Sequence, residues 1–253
     1  MIFDTLKEAP RNLKEGIDWL IALKEGDAVE NVVALGAALH RLLSRYPVGF
    51  TVLPALENVK RISQKFLEQP ELKDQPFVSK LLGRFKAPLN KKPGVLAKYF
   101  GNIMESDYQN VIQTRRAKPE VVAANVAQVL YGTEKFLEDI KDPKWYNPTY
   151  SGRATWDASC AKDPEACAVI LVGIAPMLYT GLRSLKDATE IANKKKPKSK
   201  EEKHLGEILK AVGYKEPECQ GDVSSVNLLK ALSAVDEQVL AVLYDLAGYW
   251  AFY

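Results

Sequence analysis

Asp163-Pro164-Glu165-Ala166-Cys167-Ala168-Val169-Ile170-Leu171-Val172-Gly173-Ile174-Ala175-Pro176-Met177-Leu178-Tyr179-Thr180-Gly181-Leu182-Arg183-Ser184-Leu185 is the stretch that decides the fold. Its first three residues supply an N-cap carboxylate, a proline suited to a first turn, and an acid well placed at a helix N-terminus. The run from Ala168 to Tyr179, about a dozen residues, is apolar all round, so a helix here belongs at the centre of a core. A bilayer span needs roughly 20 such residues, and a buried core helix is the better reading. A buried strand over 169–174 competes with it. The lack of a breaker before Pro176 and the helical spacing beyond favour helix. Pro176 is expected to kink that helix, with Gly173 and Gly181 allowing neighbours to approach closely.

Toward the N-terminus the helix signals repeat. Asn12 and Glu15 have capping-box spacing, and Leu13, Ile17, Leu20 and Ile21 follow on one face. After Gly26, Asp27 and Glu30 start a second helix, whose apolar stripe is read as Val29, Val32, Val33, Gly36, Leu39, Leu43 and Tyr46. With almost no linker, these two helices are expected to pack as an antiparallel hairpin. Further helices are expected at about 54–69, 77–85, 95–103 and 106–114, and from Pro119 to about Lys141. Beyond the central helix, Ser199 and Glu202 open a helix to about Ala211. Others are expected near 223–232 and from Ser233 and Asp236 onward, the last carrying Val235, Val239, Val242, Leu243, Leu246 and Trp250. The expected fold is therefore all-α, a bundle of about ten helices occupying residues 1–253, with connectors at 86–94 and 142–155 as the places where it could subdivide.

The 253 residues are 47% apolar and 26% charged, with a formal charge of +3. That composition supports a sizeable core and offers no strong attraction for nucleic acid. Asn193 to Lys203 carries Lys194, Lys195, Lys196 and Lys198 among its six lysines. Like charges and Pro197 predict an exposed, mobile loop, read first as a solvated surface and second as an electrostatic contact. The loop from Asp142 to Gly152 holds Trp145 and Tyr146, aromatics that either pin it to the body or meet a partner.

Chemistry is sparse. His40 and His204 are the two histidines, too few to build histidine-based catalysis or a metal site. No Cys-x-x-Cys pair, nucleophile elbow, phosphate loop or dinucleotide fingerprint occurs, so no catalytic, cofactor-binding or metal-binding residue is assigned. None of the ten asparagines opens a glycosylation sequon, since Pro148 blocks the one at Asn147. Cys160 and Cys167 lie seven apart across a helix start, and Cys219 sits in a loop near Pro217. Three buried thiols, or one disulfide with one thiol over, both fit. In an extracellular protein the expected bridge joins Cys160 or Cys167 to Cys219, closing a loop of about 50–60 residues.

The run Asn12-Leu13-Lys14-Glu15-Gly16-Ile17-Asp18-Trp19-Leu20 resembles the opening motif of Babesia variant erythrocyte surface antigens, which usually carry Ala where Gly16 stands. The runs Thr155-Trp156-Asp157-Ala158-Ser159-Cys160, Pro176 to Arg183, and Leu243-Tyr244-Asp245-Leu246-Ala247-Gly248-Tyr249-Trp250-Ala251-Phe252 also look like proteins of these parasites. Size and helix content are more similar to the GPI-anchored merozoite surface antigens of the group. The resemblance implies a surface-exposed ectodomain without catalysis or cofactor, a host erythrocyte component as partner, and membrane attachment only through a lipid anchor. It also implies a signal peptide ahead of this region and an anchor signal behind it. An intracellular, cytoplasmic scaffold that takes up a partner helix is the alternative from a different class.

Overall fold

The computed structural model describes residues 2–100, 103–195, 199–215, 217–219 and 224–253. The described helices are α1 (Leu13–Leu23), α2 (Ala28–Arg45), α3 (Pro54–Leu67), α4 (Pro70–Lys73), α5 (Pro76–Lys86), α6 (Val95–Phe100), α7 (Val111–Thr114), α8 (Pro119–Ile140), α9 (Trp156–Ser159), α10 (Pro164–Asn193), α11 (Lys200–Ala211), α12 (Ser225–Ala231), α13 (Glu237–Leu246) and α14 (Tyr249–Phe252). The protein is all-α. No strand forms among the described residues; Phe3 with Tyr150 and Lys141 with Cys219 make isolated bridges.

The capping signals act as the sequence predicts. Asn12, Asp27, Asp163, Ser199 and Asp236 each accept the backbone amide three residues on, at distances between 2.9 and 3.2 Å. Each bond satisfies one of the amides a helix start leaves without an internal partner. α10 is the central element. Every residue from Cys167 to Leu182 is buried, and α1, α2, α3, α11, α12 and α13 all pack on it. It is long and apolar enough to cross a membrane by length and composition, but 89% of its most apolar window is covered by the rest of the protein. The helix runs on through Pro176, which removes one ladder donor without ending it. It also continues to Asn193, eight residues past Leu185, so the lysine segment begins as helix C-cap; residues 196–198 lie outside the described residues. A single cluster of buried side chains extends from Phe3 to Tyr253, with members on both sides of the 86–94 and 142–155 connectors.

Three expectations are corrected. The α1–α2 hairpin is slight: α2 lies mainly against α8 and α10. Gly36 is the reason, because a Cβ there would lie 2.5 Å from Ala123 and hold α2 off α8. The same contact turns the α2 stripe. Leu35, Leu39 and Leu42 are fully buried, while Val29 and Val33 are 75% and 54% exposed. The expected helix over 106–114 is instead a 3-10 turn at Glu105–Asp107 followed by α7. Asn110 makes the break, accepting the amide of Gln113 while donating to the carbonyls of Leu43 and Tyr46. At the C-terminus, Gly248 adopts φ +65°, a left-handed turn that separates α13 from α14 and folds the latter back into the core.

Candidate functional site

The run at Asn12–Leu20 is occupied by structural work. Asn12 caps α1 by accepting the Glu15 amide at 3.0 Å, and the Glu15 carboxylate reaches one residue past the capping-box position to accept the amide of Arg11 at 2.8 Å. Lys14, 6% exposed, donates to Asp18 at 3.2 Å and to the carbonyl of Asn147 at 2.8 Å, with its ammonium 4.5 Å above the Tyr146 ring. Asp18 also accepts from the Thr149 amide at 2.8 Å and from the Tyr146 hydroxyl. Trp19 donates its indole N–H to the carbonyl of Leu6 at 2.8 Å. The charged pair at positions 14 and 18 is thus the clamp that holds the 142–150 loop onto α1. Burial pushes the Tyr146 phenol above its ordinary pKa, and Asp18 adds to that.

This geometry divides the two aromatics assigned to partner contact. Tyr146 is pinned, and Trp145, 57% exposed, projects from the same loop. Lys194 and Lys195 are exposed at the C-cap of α10; Lys196 and Lys198 lie outside the described residues. The two surfaces are not brought together. The aromatic loop is tied through Asp142 to Glu218 and through Lys14 to Val212, beyond the C-terminal end of α11. The lysines precede the N-terminal end of that helix, which is about 18 Å long at 1.5 Å per residue.

The run at Thr155–Cys160 is likewise structural. Thr155 caps α9, and the Ser159 hydroxyl accepts the amide of Leu6 at 3.0 Å. Cys160 is bonded to Cys167, their Cα atoms 5.9 Å apart. The expected bridge to Cys219 is therefore corrected. The turn between α9 and α10 returns Cys160 to the first turn of α10, whereas Cys219 is buried beside Lys141 at the end of α8. Protein denatured without reductant is expected to titrate fewer thiols than fully reduced protein; three thiols in both states would remove the bridge.

A feature the sequence reading missed lies under the fourth run. Arg84 pairs bidentately with Asp107, Nη1 to Oδ1 at 2.8 Å and Nη2 to Oδ2 at 2.9 Å. Tyr244 donates to Asp107 Oδ1 at 2.9 Å and accepts from Arg84, and the Met104 amide donates to Oδ2 at 2.8 Å. Burial pushes the Asp107 carboxyl up, opposed by the guanidinium, the phenol and the amide. Beside it, Lys91 donates to the carbonyls of Tyr249 at 2.5 Å and Tyr253 at 2.6 Å, and burial lowers its ammonium to about 8. One signal was available: no acid occurs between Asp74 and Glu105, so a buried Arg84 has to find its carboxylate from outside that interval.

Arg84 and Tyr244 form the inner wall of a cleft of about 490 Å³ that also takes in Phe77, Lys80, Tyr179 and Arg183. Arg183 stacks 4.3 Å over the Phe77 ring and donates to the Tyr179 hydroxyl at 2.5 Å. Ring faces and guanidinium planes of this kind are the chemistry of recognition, with Arg84 and Tyr244 already committed to Asp107. A second concavity, of about 460 Å³, lies between α2 and α8, where Val29, Val33, Ala124, Ala127 and Tyr131 form an apolar floor. His40 contacts the Ala117 carbonyl at 2.9 Å, and His204 lies 3.6 Å from Glu207 on the surface. Among the described residues no group of three or more His, Cys, Asp or Glu is placed to hold a metal ion. Protein-family models, curated proteins and solved structures contain no match to this chain.

Proposed function

We propose that this domain is the exposed part of a parasite merozoite surface antigen of the Babesia type, acting by adhesion to a host erythrocyte component and not by catalysis. The observation that carries this reading is the Cys160–Cys167 disulfide, which sits at the end of the family-like run Thr155–Cys160. Disulfides persist in oxidising compartments and are rare in the cytosol, so the bridge favours a surface protein over an intracellular one. The runs at Asn12–Leu20 and Leu243–Phe252 contribute a rigid frame, one clamping a loop and the other closing the core. Such a frame suits an antigen whose exposed loops vary while the body stays folded. Trp145 and the lysines at 194–203 supply the contact chemistry in this reading, and a lipid anchor outside these residues supplies the attachment.

The test uses labelled domain and intact erythrocytes, with a variant in which all six lysines of the 194–203 segment become Ser. Saturable binding that weakens with added salt, and falls in the variant, is expected, since exposed charges are screened within about 8 Å at physiological ionic strength. Equal binding by both proteins removes the lysines from the mechanism. No binding by either overturns adhesion.

The apolar floor between α2 and α8 favours the second reading, an intracellular scaffold, because an amphipathic helix fits such a groove. Detection of the domain inside permeabilised cells alone, with three titratable thiols, is the outcome that selects it.

A further inference from the structure

We propose that the end of the molecule built around α14 docks on a lipid bilayer surface carrying anionic headgroups. Two segments flank that single helical turn. Residues 47–53 run alongside it as irregular backbone, the amides of Gly49 and Thr51 donating to the carbonyls of Trp250 at 3.0 Å and Ala251 at 2.7 Å. The side chains of Val48, Phe50 and Val52 on this segment are 42%, 53% and 61% exposed. The second segment, Lys86–Lys98, is held by Lys91, whose ammonium bonds the carbonyls of Tyr249 and Tyr253. Lys60 ties the first segment to the residue after α14, lying 5.7 Å from the Phe50 ring and 4.5 Å from the Tyr253 ring. The two segments bonded to α14 carry five large apolar side chains, Val48, Phe50, Val52, Val95 and Leu96, that are between 42% and 74% exposed.

Charge decides what covers them. The sequence holds no Asp or Glu between Glu30 and Glu57, and none between Asp74 and Glu105, while the second interval holds six Lys or Arg. The acids bordering this face are already engaged: Glu57 by Lys60 at 2.9 Å, Glu165 by Arg45 at 2.5 Å, Glu105 and Asp245 by Arg115 at 2.7 Å each, and Asp107 by the buried Arg84. Lys86, Lys92 and Lys98 stand exposed on the second segment, Lys98 with its ammonium 4.7 Å over the Tyr108 ring. A second copy of this face would set lysines against lysines, so the occupant it fits carries negative charge above apolar material. A bilayer offers both, with phosphate and carboxylate at the headgroups and acyl chains about 5–10 Å below them. The inference stands apart from the antigen reading, since it rests on this face alone.

The experiment measures partition of the full chain onto phosphatidylcholine vesicles made with and without phosphatidylserine. Binding is expected on the anionic vesicles and to fall steeply with salt. Changing Lys86, Lys92 and Lys98 together to Glu is expected to weaken it at least about 100-fold, from the loss of about fivefold per lysine near a charged bilayer. Phe50→Ser with Val52→Ser tests the apolar part, and is expected to lower binding at low salt too. Val29→Ser with Val33→Ser, on the α2–α8 floor, is expected to leave it unchanged. Each variant is compared at matched circular dichroism and thermal midpoint, the altered side chains being exposed. Absence of vesicle binding, partition unaffected by either set of substitutions at the α14 end, or retention on heparin without vesicle binding each overturns the proposal.

Discussion

Asp107→Ala is expected to destabilise the protein by about 3–5 kcal/mol, the cost of leaving a buried charge without its partner. Arg84 is 8% exposed, and two of its nitrogens are committed to Asp107. Removing the carboxylate strands the guanidinium among the rings of Tyr244 and Tyr249, which lie 5.4 and 4.7 Å from its carbon. Those ring faces and the Tyr244 hydroxyl compensate only in part. The Met104 amide also loses its acceptor, and with it the bond that starts the 3-10 turn. The same physics predicts that Arg84→Met combined with Asp107→Leu is far milder than the single change, because desolvation of both ions disappears along with their attraction. Urea unfolding midpoints of the three variants decide the matter. A single variant within about 1 kcal/mol of the parent, a size normal for an exposed pair, would show that water reaches Arg84.

Leu171→Ala and Leu243→Ala are each expected to cost about 2–5 kcal/mol, the range for emptying a fully packed leucine site. Leu171 is 1% exposed in the N-terminal third of α10, and Leu243 is fully buried on α13, which packs against that helix and α8. Neither site can collapse easily. α10 is enclosed by helices on all sides, and Gly173, two residues from Leu171, already has Val59 so close that a Cβ would lie 2.5 Å from it. The cavity therefore stays open, and its walls lose contacts along with the transfer free energy of the removed methyls. Denaturant midpoints equal to the parent's would contradict burial at both positions.

The local determinants of this protein were written in its sequence. Asp163 and Pro164 define where α10 starts, Asn12, Asp27, Ser199 and Asp236 start four more helices, and the unbroken apolar run after Ala168 announces which helix the others surround. Each of these depends on residues three or four positions apart, so reading along the chain suffices. What lay beyond such reading depends on contacts distant in sequence. Gly36 against Ala123 decides that α2 joins α8, and thereby turns Val29 and Val33 outward from a stripe that reads as core. Cys160 meets Cys167, not Cys219, because of how α9 turns into α10. Lys14 and Asp18 look like an ordinary exposed ion pair one turn apart on a helix, and only the 142–150 loop folding over them makes them a buried clamp. The pairing of Arg84 with Asp107 and Tyr244, and the seating of residues 49 and 51 on α14, likewise required segments 160 and more positions apart to meet. Helix ends are set by backbone amides seeking nearby acceptors, whereas charges and apolar side chains on different helices find their partners only when the helices pack.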